Sequence, residues 1–380
     1  MASMEAILNQ AGYSTGSYTS PHIHRFNERI KLSGEPVGDE LLVEAFAEID
    51  QARGDDSLSY FEFSTLAALL IFQNSSLDVA LLEVGLGGRL DAVNIIDPDV
   101  AVITNISIDH EDWLGVGIEK IAAEKAGIMR PKTPVVFAAE NLPESILSRA
   151  KELDARLYVL GTDFDFEASY EHNTGPESSV WQWHGLNGSD AAINLHLSVM
   201  PRLALQNVSA ALQALALLPF TLEPASVNKA MLDLQLAGRF ELRKDRKTTT
   251  NVVFDVAHNP AAVQLLALNL RRFRQQNPGL GRIAVVLAVM ADKDIEAMVS
   301  ALESCSDIWY IAQVEETRSM PAEEVTQSIK NSDNGTRVRQ FENVAEAYQS
   351  ACGDAATQDL IVVTGSFLTV AAVRELSTPI

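Results

Sequence analysis

Apolar positions along this chain change spacing repeatedly, and the changes mark out its elements. Ala2 to Gln10 carries Met4, Ile7 and Leu8 on one helical face, and Gly12 ends the segment. This helix begins without a capping side chain ahead of it, which is unusual. A Ser/Thr-rich loop from Ser14 to His22 follows, then a longer polar stretch. Phe61 to Gln73 is a strongly apolar helix, and Val79 to Leu82 reads as a buried strand. Val100 to Thr104 and Pro134 to Ala138 are further strands, separated by a helical segment, Glu119 to Gly127, with Glu/Lys pairs at compatible spacing. Strands alternating with helices predict a parallel sheet covered on both faces.

Residues 163 to 200 are richer in Gly, Ser, Asn and aromatics, which predicts hairpins or an excursion from that sheet. Leu203 to Leu218 is a helix rich in Ala and Leu. Beyond Gly238-Arg239, the cluster from Arg243 to Thr250 opens a second α/β unit, with strands at Val252 to Val256, Ile283 to Val289, Ile308 to Ala312 and Leu360 to Thr364. At 380 residues two domains are expected. The boundary falls in Gly238 to Asp245, giving domains 1–238 and 239–380.

Composition narrows the function classes. Hydrophobic residues make up 47% and charged ones 21%, as in ordinary globular proteins. A net charge of −22 argues against an electrostatic grip on nucleic acid or an anionic membrane. Cys305 and Cys352 form neither a disulfide framework nor a zinc pattern, which suits a reducing cytoplasm. No window reaches 18 uninterrupted apolar residues, and Met1 to Gln10 lacks the order of a signal peptide.

Chemistry gathers where strands end. The strand Val79 to Leu82 delivers Glu83, followed by Gly85, Gly87 and Gly88, then Arg89 and Asp91. An acid and a glycine turn at a strand end are where open α/β sheets place ligands: glycines admit close backbone approach, and the acid can hold a cation. A plain strand-to-loop turn with Glu83 solvated is the other reading. Thr19-Ser20-Pro21-His22 puts a hydroxyl on a loop held extended before proline, and a generic loop and a ligand site are both open readings of it. Asp109-His110 follows the strand ending at Thr104, so His110 is either a ligand beside Glu83 or a hydrogen-bonded structural residue. Lys125 sits near a helix end, where a lysine ordinarily partners the dipole. Asp255-Val256-Ala257-His258-Asn259-Pro260 repeats the acid-at-strand-end pattern in the second unit, and two such edges facing each other would form an interdomain cleft. No Gly-x-Ser-x-Gly elbow is present, and Gly85, Gly87 and Gly88 do not make the dinucleotide fingerprint. His24, His172, His184 and His196 lack metal spacing and read as structural or exposed.

Taken in order, Ser20-Pro21-His22, Phe61-Glu62-Phe63, Glu83 through Ala92, Asp109-His110, Glu124-Lys125-Ala126-Gly127, Gly238-Arg239-Phe240-Glu241 and Asp255 through Pro260 resemble the folylpolyglutamate synthase/dihydrofolate synthase family of the Mur ligase superfamily. The likeness spans essentially the whole chain. It implies an α/β fold with a mostly parallel-sheet, ATPase-like N-terminal domain and a smaller Rossmann-like C-terminal domain. The activity implied is ATP-dependent addition of L-glutamate to dihydropteroate or tetrahydrofolate through an acyl phosphate. The resemblance further implies Mg²⁺ on Ser20, Glu83 and His110, and a carbamylated Lys125 acting with His110 in catalysis. Folate contacts would come from Tyr60, Phe61, Glu62, Leu90, Asp91 and Ala92, and ATP contacts from Asn207, Arg239, Asp255 and His258. It is compatible with a cytoplasmic monomer that has small-molecule substrates and no nucleic-acid or membrane partner.

One departure stands out. The family's phosphate loop, Gly-Thr-Asn-Gly-Lys-Gly-Ser/Thr, has no counterpart before the first helix, and the first strand of the sheet is expected to be missing with it. The expectation is a gene start placed too late or an amputated relic, and weak or absent ligase activity for the 380-residue chain. Two competing readings are a Mur-type ligase acting on a cell-wall nucleotide precursor and a folate-binding protein without turnover. Phe61-Glu62-Phe63 and Leu90-Asp91-Ala92 favour folate over the cell-wall precursor.

Overall fold

Residues 1–106, 117–169, 180–332 and 337–379 are described in the computed structural model of the chain. They belong to two units, Met1–Leu234 and Gln235–Ile380. The first opens with helix α1 (Ala2–Gln10), which buries Met4, Ile7 and Leu8 and has no side-chain cap. The Ser/Thr-rich segment expected as a loop instead begins with strand β1 (Thr15–Tyr18), buried along its whole length. The hydroxyls make this possible. Ser17 Oγ donates to Glu5 at 2.6 Å and Thr15 Oγ1 to Asn9 at 2.8 Å, so neither is buried without a partner, a fault that costs about 1–3 kcal/mol. Gly16 lies against the Phe72 ring, where a Cβ would come within 2.8 Å of ring carbon.

Strand β2 (Ile30–Leu32) runs antiparallel to β1, and β3 (Glu35–Pro36) runs antiparallel to β2 on its far side. The polar stretch that follows contains helix α2 (Asp39–Arg53), which buries Leu42, Ala45 and Ile49 at helical spacing. Helix α3 (Tyr60–Gln73) starts from a Ser59–Glu62 capping box. Strand β4 (Val79–Leu82) pairs in parallel with β1 and is outermost in the order β3-β2-β1-β4. The expectation of a buried strand is corrected here: only Leu81 is buried and Ala80 is exposed, because β4 has a ladder partner on one side only among the described residues.

A second parallel sheet holds β5 (Ala101–Ile103), β6 (Val135–Phe137) and β7 (Leu157–Val159). Among the described residues no ladder joins β4 to β5, although Val79 and Leu81 share one core cluster with Val102 and Val136. The predicted hairpins are an antiparallel sheet of β8 (Asp165–Ser169), β9 (Val180–Leu186) and β10 (Ala192–Leu197). Its Trp181 and Trp183 pack with α1 and with the Leu205–Ala216 helix. Gln213 of that helix locks to β9 by accepting from Leu186 N–H at 3.1 Å and donating to Leu186 C=O at 2.7 Å.

In the second unit the strands are β11 (Glu241–Asp245), β12 (Asn251–Asp255), β13 (Ile283–Leu287), β14 (Ile308–Ile311), β15 (Arg337–Gln340), β16 (Leu360–Thr364) and β17 (Ser377–Pro379). Their order is β15-β14-β13-β16-β12-β11-β17, parallel from β15 to β12 and antiparallel at β11 and β17. The runs Val252–Phe254, Val285–Leu287 and Leu360–Val363 are fully buried, the pattern of a sheet covered on both faces. Crossings of strand order put the C-terminal end of β12 at a position suited to a ligand.

Candidate active site

Two neighbouring strands of the first unit, β1 and β4, deliver residues to one edge. Glu83 directly follows β4, and its N–H donates to Tyr18 C=O at 2.9 Å, continuing the ladder. Its carboxylate accepts from the backbone N–H of Ser20 at 3.0 Å. Ser20 and Glu83, 63 residues apart, therefore meet. Asp109 and His110 lie outside the described residues. Serine hydroxyl and carboxylate are both hard oxygen donors, the chemistry that Mg²⁺ favours. Among the described residues, no three His, Cys, Asp or Glu side chains gather as a metal cage.

The glycine turn is organised by Asp91. Its Oδ2 accepts from Gly85 N–H and Leu86 N–H, each at 3.0 Å, and its Oδ1 from Val93 N–H at 2.9 Å. The turn then docks on the C-terminal end of the Ile118–Ala126 helix: Arg89 N–H donates to Glu124 C=O at 2.9 Å and the Arg89 side chain pairs with Glu124. At Gly88, with φ +157°, a Cβ would come within 2.8 Å of Glu124 C=O and 3.2 Å of the Lys125 Cα. Lys125 is thus brought against the turn that starts at Glu83. Burial pushes its ammonium below the usual lysine range, and among the described residues no carboxylate pairs with it.

The six residues expected to meet folate share a neighbourhood but not a role. Phe61 packs on Gly85, where a Cβ would sit 2.5 Å from the ring, and lies 5.8 Å from the Tyr18 ring centroid. Tyr60 is 61% exposed and Leu90 79% exposed. Glu62 is engaged as a cap, accepting from Ser59 N–H at 2.7 Å. Asp91 is engaged by three backbone donors, and Ala92 opens the short turn that Asp91 caps.

Arg29, which the sequence patterns passed over, stands at the start of β2, one strand from Ser20. Its guanidinium lies 5.4 Å from the Tyr60 ring centroid and its Nε donates to His22 Nδ1 at 2.8 Å. Burial and the Arg29 charge both lower the His22 pKa. The available signal was a cation placed directly before an apolar strand.

In the second unit, Asp255 ends β12. One oxygen accepts from Phe240 N–H and the other from Ala257 N–H, each at 2.9 Å. Burial raises its pKa to about 6, against the opposing pull of those hydrogen bonds and of Arg239. Arg239 and His258 flank the same ring: the guanidinium is 6.0 Å and the imidazole 6.3 Å from Phe367. His258 Nδ1 is 2.9 Å from Val256 C=O, and Asn259 caps the Pro260–Gln276 helix. The structure brings Arg239, Asp255 and His258 together, whereas Asn207 belongs to the first unit, exposed near the start of the Leu205–Ala216 helix.

Residues 47–215 match the Mur ligase middle domain, and residues 238–367 match the Mur ligase glutamate ligase domain. The chain is 38% identical over 373 residues to the dihydrofolate synthase/folylpolyglutamate synthase of Escherichia coli K12, covering 98% of this chain and 82% of the relative. Among solved structures, E. coli FolC in complex with DHPP and ADP superposes with a TM-score of 0.83 at 36% identity, over 99% of this chain and 84% of that one. A bifunctional folylpolyglutamate synthase/dihydrofolate synthase with Mn, AMPPNP and L-glutamate bound gives a TM-score of 0.80 at 37% identity, over 98% and 85%. The fold, the order of the two domains and the near full-length identity lead to one assignment: this chain belongs to the dihydrofolate synthase/folylpolyglutamate synthase family of the Mur ligases.

Proposed function

We propose that the chain is an ATP-dependent ligase that joins L-glutamate to the carboxylate of dihydropteroate and also extends tetrahydrofolate with glutamate. The observation that carries this reading is the meeting of Ser20 and Glu83 at a strand end, with Lys125 against the glycine turn that begins there. The E. coli relative's name covers both activities.

A carboxylate is a poor electrophile, so it is first activated. Its oxygen attacks the γ-phosphorus of ATP, the bond to ADP breaks, and an acyl phosphate forms. The glutamate amine then attacks the acyl carbon, phosphate departs, and the amine loses its proton. In this reading Ser20, Glu83 and His110 would hold Mg²⁺, which when bound neutralises charge between the β- and γ-phosphates. Arg239, Asp255, His258 and Asn207 serve the nucleotide. Asp255 acts by fixing the Gly238–Phe240 backbone and so Arg239. Tyr60, Phe61 and Leu90 form the folate side, with Glu62, Asp91 and Ala92 shaping it. Lys125 is carbamylated: its neutral amine adds carbon dioxide and releases a proton, a reaction that its depressed pKa favours.

The same reading makes the enzyme a cytoplasmic monomer without nucleic-acid or membrane partners. Its net charge of −22 disfavours polyanions, and no helix among the described residues is long and apolar enough to cross a membrane. The test is incorporation of labelled L-glutamate by the purified chain. Weak product formation with dihydropteroate, dependent on ATP and accompanied by ADP, is expected, in line with the phosphate loop that this sequence lacks. Binding of dihydropteroate without ATP-dependent product would overturn the ligase reading, and transfer to a cell-wall nucleotide precursor would overturn the folate reading.

A further inference from the structure

We propose that Arg29, oriented by His22, is the residue that binds a carboxylate of the folate acceptor; the assignment rests on the folate reading above and names a residue within it. The case begins with how arginines are used in the first unit. Arg25, Arg53, Arg89, Arg130, Arg149 and Arg156 each pair with a carboxylate. Arg29 is only 8% exposed, yet among the described residues it has no carboxylate partner. Burying a guanidinium without its counter-ion is costly, so a buried arginine left this way marks a place where the counter-ion is supplied from elsewhere.

Neighbouring acids are not available to it. Glu28 accepts from the backbone N–H groups of Ile23, His24 and Arg25, at 2.7, 2.9 and 2.9 Å. Asp39 serves Arg25 and Asn27. The guanidinium is held by two other contacts: the Tyr60 ring on its face, and the His22 Nδ1 that accepts from its Nε. That hydrogen bond leaves Nη1 and Nη2, the two ends of the fork, as the donors suited to a planar carboxylate. It also makes Nδ1 of neutral His22 the acceptor, so the imidazole proton sits on Nε2 as a further donor.

The location suits the acceptor. Thr19 N–H donates to Arg29 C=O at 2.8 Å, so Arg29 lies beside the residue that precedes Ser20. Ser20 in turn meets Glu83 on the next strand. Arg29, Ser20 and Glu83 thus come from three neighbouring strand ends, and two strand spacings put the Arg29 and Glu83 backbones about 10 Å apart. The carboxylate of dihydropteroate, the one that attacks ATP, would then be held on the same sheet edge as Ser20 and Glu83. In a chain of net charge −22 an anionic acceptor needs such a local cation.

The test is calorimetric binding of dihydropteroate, and of its analogue with the carboxylate replaced by carboxamide, to the full chain. Wild type is expected to prefer the carboxylate by roughly 10- to 100-fold, the worth of one or two charge-assisted hydrogen bonds. Arg29→Gln is expected to abolish that preference while binding the carboxamide as wild type does, and Arg29→Lys to keep part of it. His22→Phe, which removes the acceptor that orients Arg29, is expected to weaken the preference by a smaller factor. An Arg29→Gln variant that keeps the preference, or one that loses both ligands equally, would overturn the proposal. So would a wild type indifferent to the carboxylate, a result that stands even if the Arg29 variants do not fold. Wild-type protein that binds neither ligand would instead bring down the folate reading itself, and this assignment with it.

Discussion

Glu83 and Asp255 both end a parallel strand in an acid, and the fold uses them differently. Asp255 is 7% exposed, and each of its oxygens accepts from a main-chain N–H, one of which belongs to the Gly238–Phe240 segment. Glu83 is only half-buried and reaches sideways to the Ser20 N–H on the neighbouring strand. Asp255 thus ties a backbone segment to the sheet and positions Arg239, whereas Glu83 gathers a hydroxyl-bearing residue at an edge. A strand end brings backbone donors together. How that acid is used depends on which donors it meets there.

The sharpest way to break this contrast is to neutralise each acid without changing its shape. Glu83→Gln is expected to lower kcat by at least about 100-fold, the scale found when groups supporting a metal site are altered, with little change in thermal stability. Steady-state ADP release and a melting curve measure the two sides. A variant retaining wild-type turnover would remove Glu83 from the chemistry. Lys125→Arg keeps a long polar side chain but cannot form a carbamate. Turnover is expected to fall by roughly 10- to 100-fold, and the carbamate resonance seen with ¹³C-labelled carbon dioxide in wild type is expected to vanish. Absence of that resonance in wild type would end the carbamylation proposal.

Asp255 makes its mark through pH. Its folded pKa is about 6, above the ordinary aspartate value of 3.8. The folded state therefore holds the proton more tightly than the unfolded state, and the contribution is fully present below pH 3.8. It is lost as pH rises towards about 6, by about 3 kcal/mol in all for a shift of this size. Asp255→Asn cannot titrate. Denaturant unfolding between pH 4 and 6 is expected to show a falling limb for the C-terminal unit in wild type and a flatter one in the variant. Parallel curves would show that Asp255 is already charged across that range. The variant keeps only one of the two accepting oxygens, so its curve is also offset, by about 1–3 kcal/mol.

Much of this was legible in the residues, for reasons that also explain the misses. Apolar runs such as Leu360–Thr364 and Ile283–Leu287 declare themselves because both their faces are buried. β1 was hidden, since Thr15, Gly16 and Ser17 are buried only by virtue of partners on α1 and space beside Phe72, neither of which local composition reveals. The acids at strand ends were readable from spacing, but their roles were not. Asp91 reads equally well as a ligand contact or as the acceptor of three backbone N–H groups, and only the geometry shows the latter. Arg29 eluded pattern reading for the opposite reason: what distinguishes it is the lack of a carboxylate partner among the described residues, which composition does not reveal.

The smallest expected effect separates capping from recognition at the start of α3. Ser59 Oγ accepts from Glu62 N–H at 3.2 Å, and the Glu62 carboxylate accepts from Ser59 N–H. Ser59→Ala removes one half of the box and is expected to cost about 1 kcal/mol of stability in the N-terminal unit. Glu62→Gln keeps a side-chain oxygen that can accept from Ser59, and glutamine serves this position as well as glutamate does. If Glu62 acts on folate only by holding the helix that carries Tyr60 and Phe61, the glutamine variant will match wild type in both melting temperature and KM for dihydropteroate. A raised KM at unchanged melting temperature would mean that the Glu62 charge itself meets the substrate. Glu62 would then act on the substrate directly, and capping alone would no longer account for it.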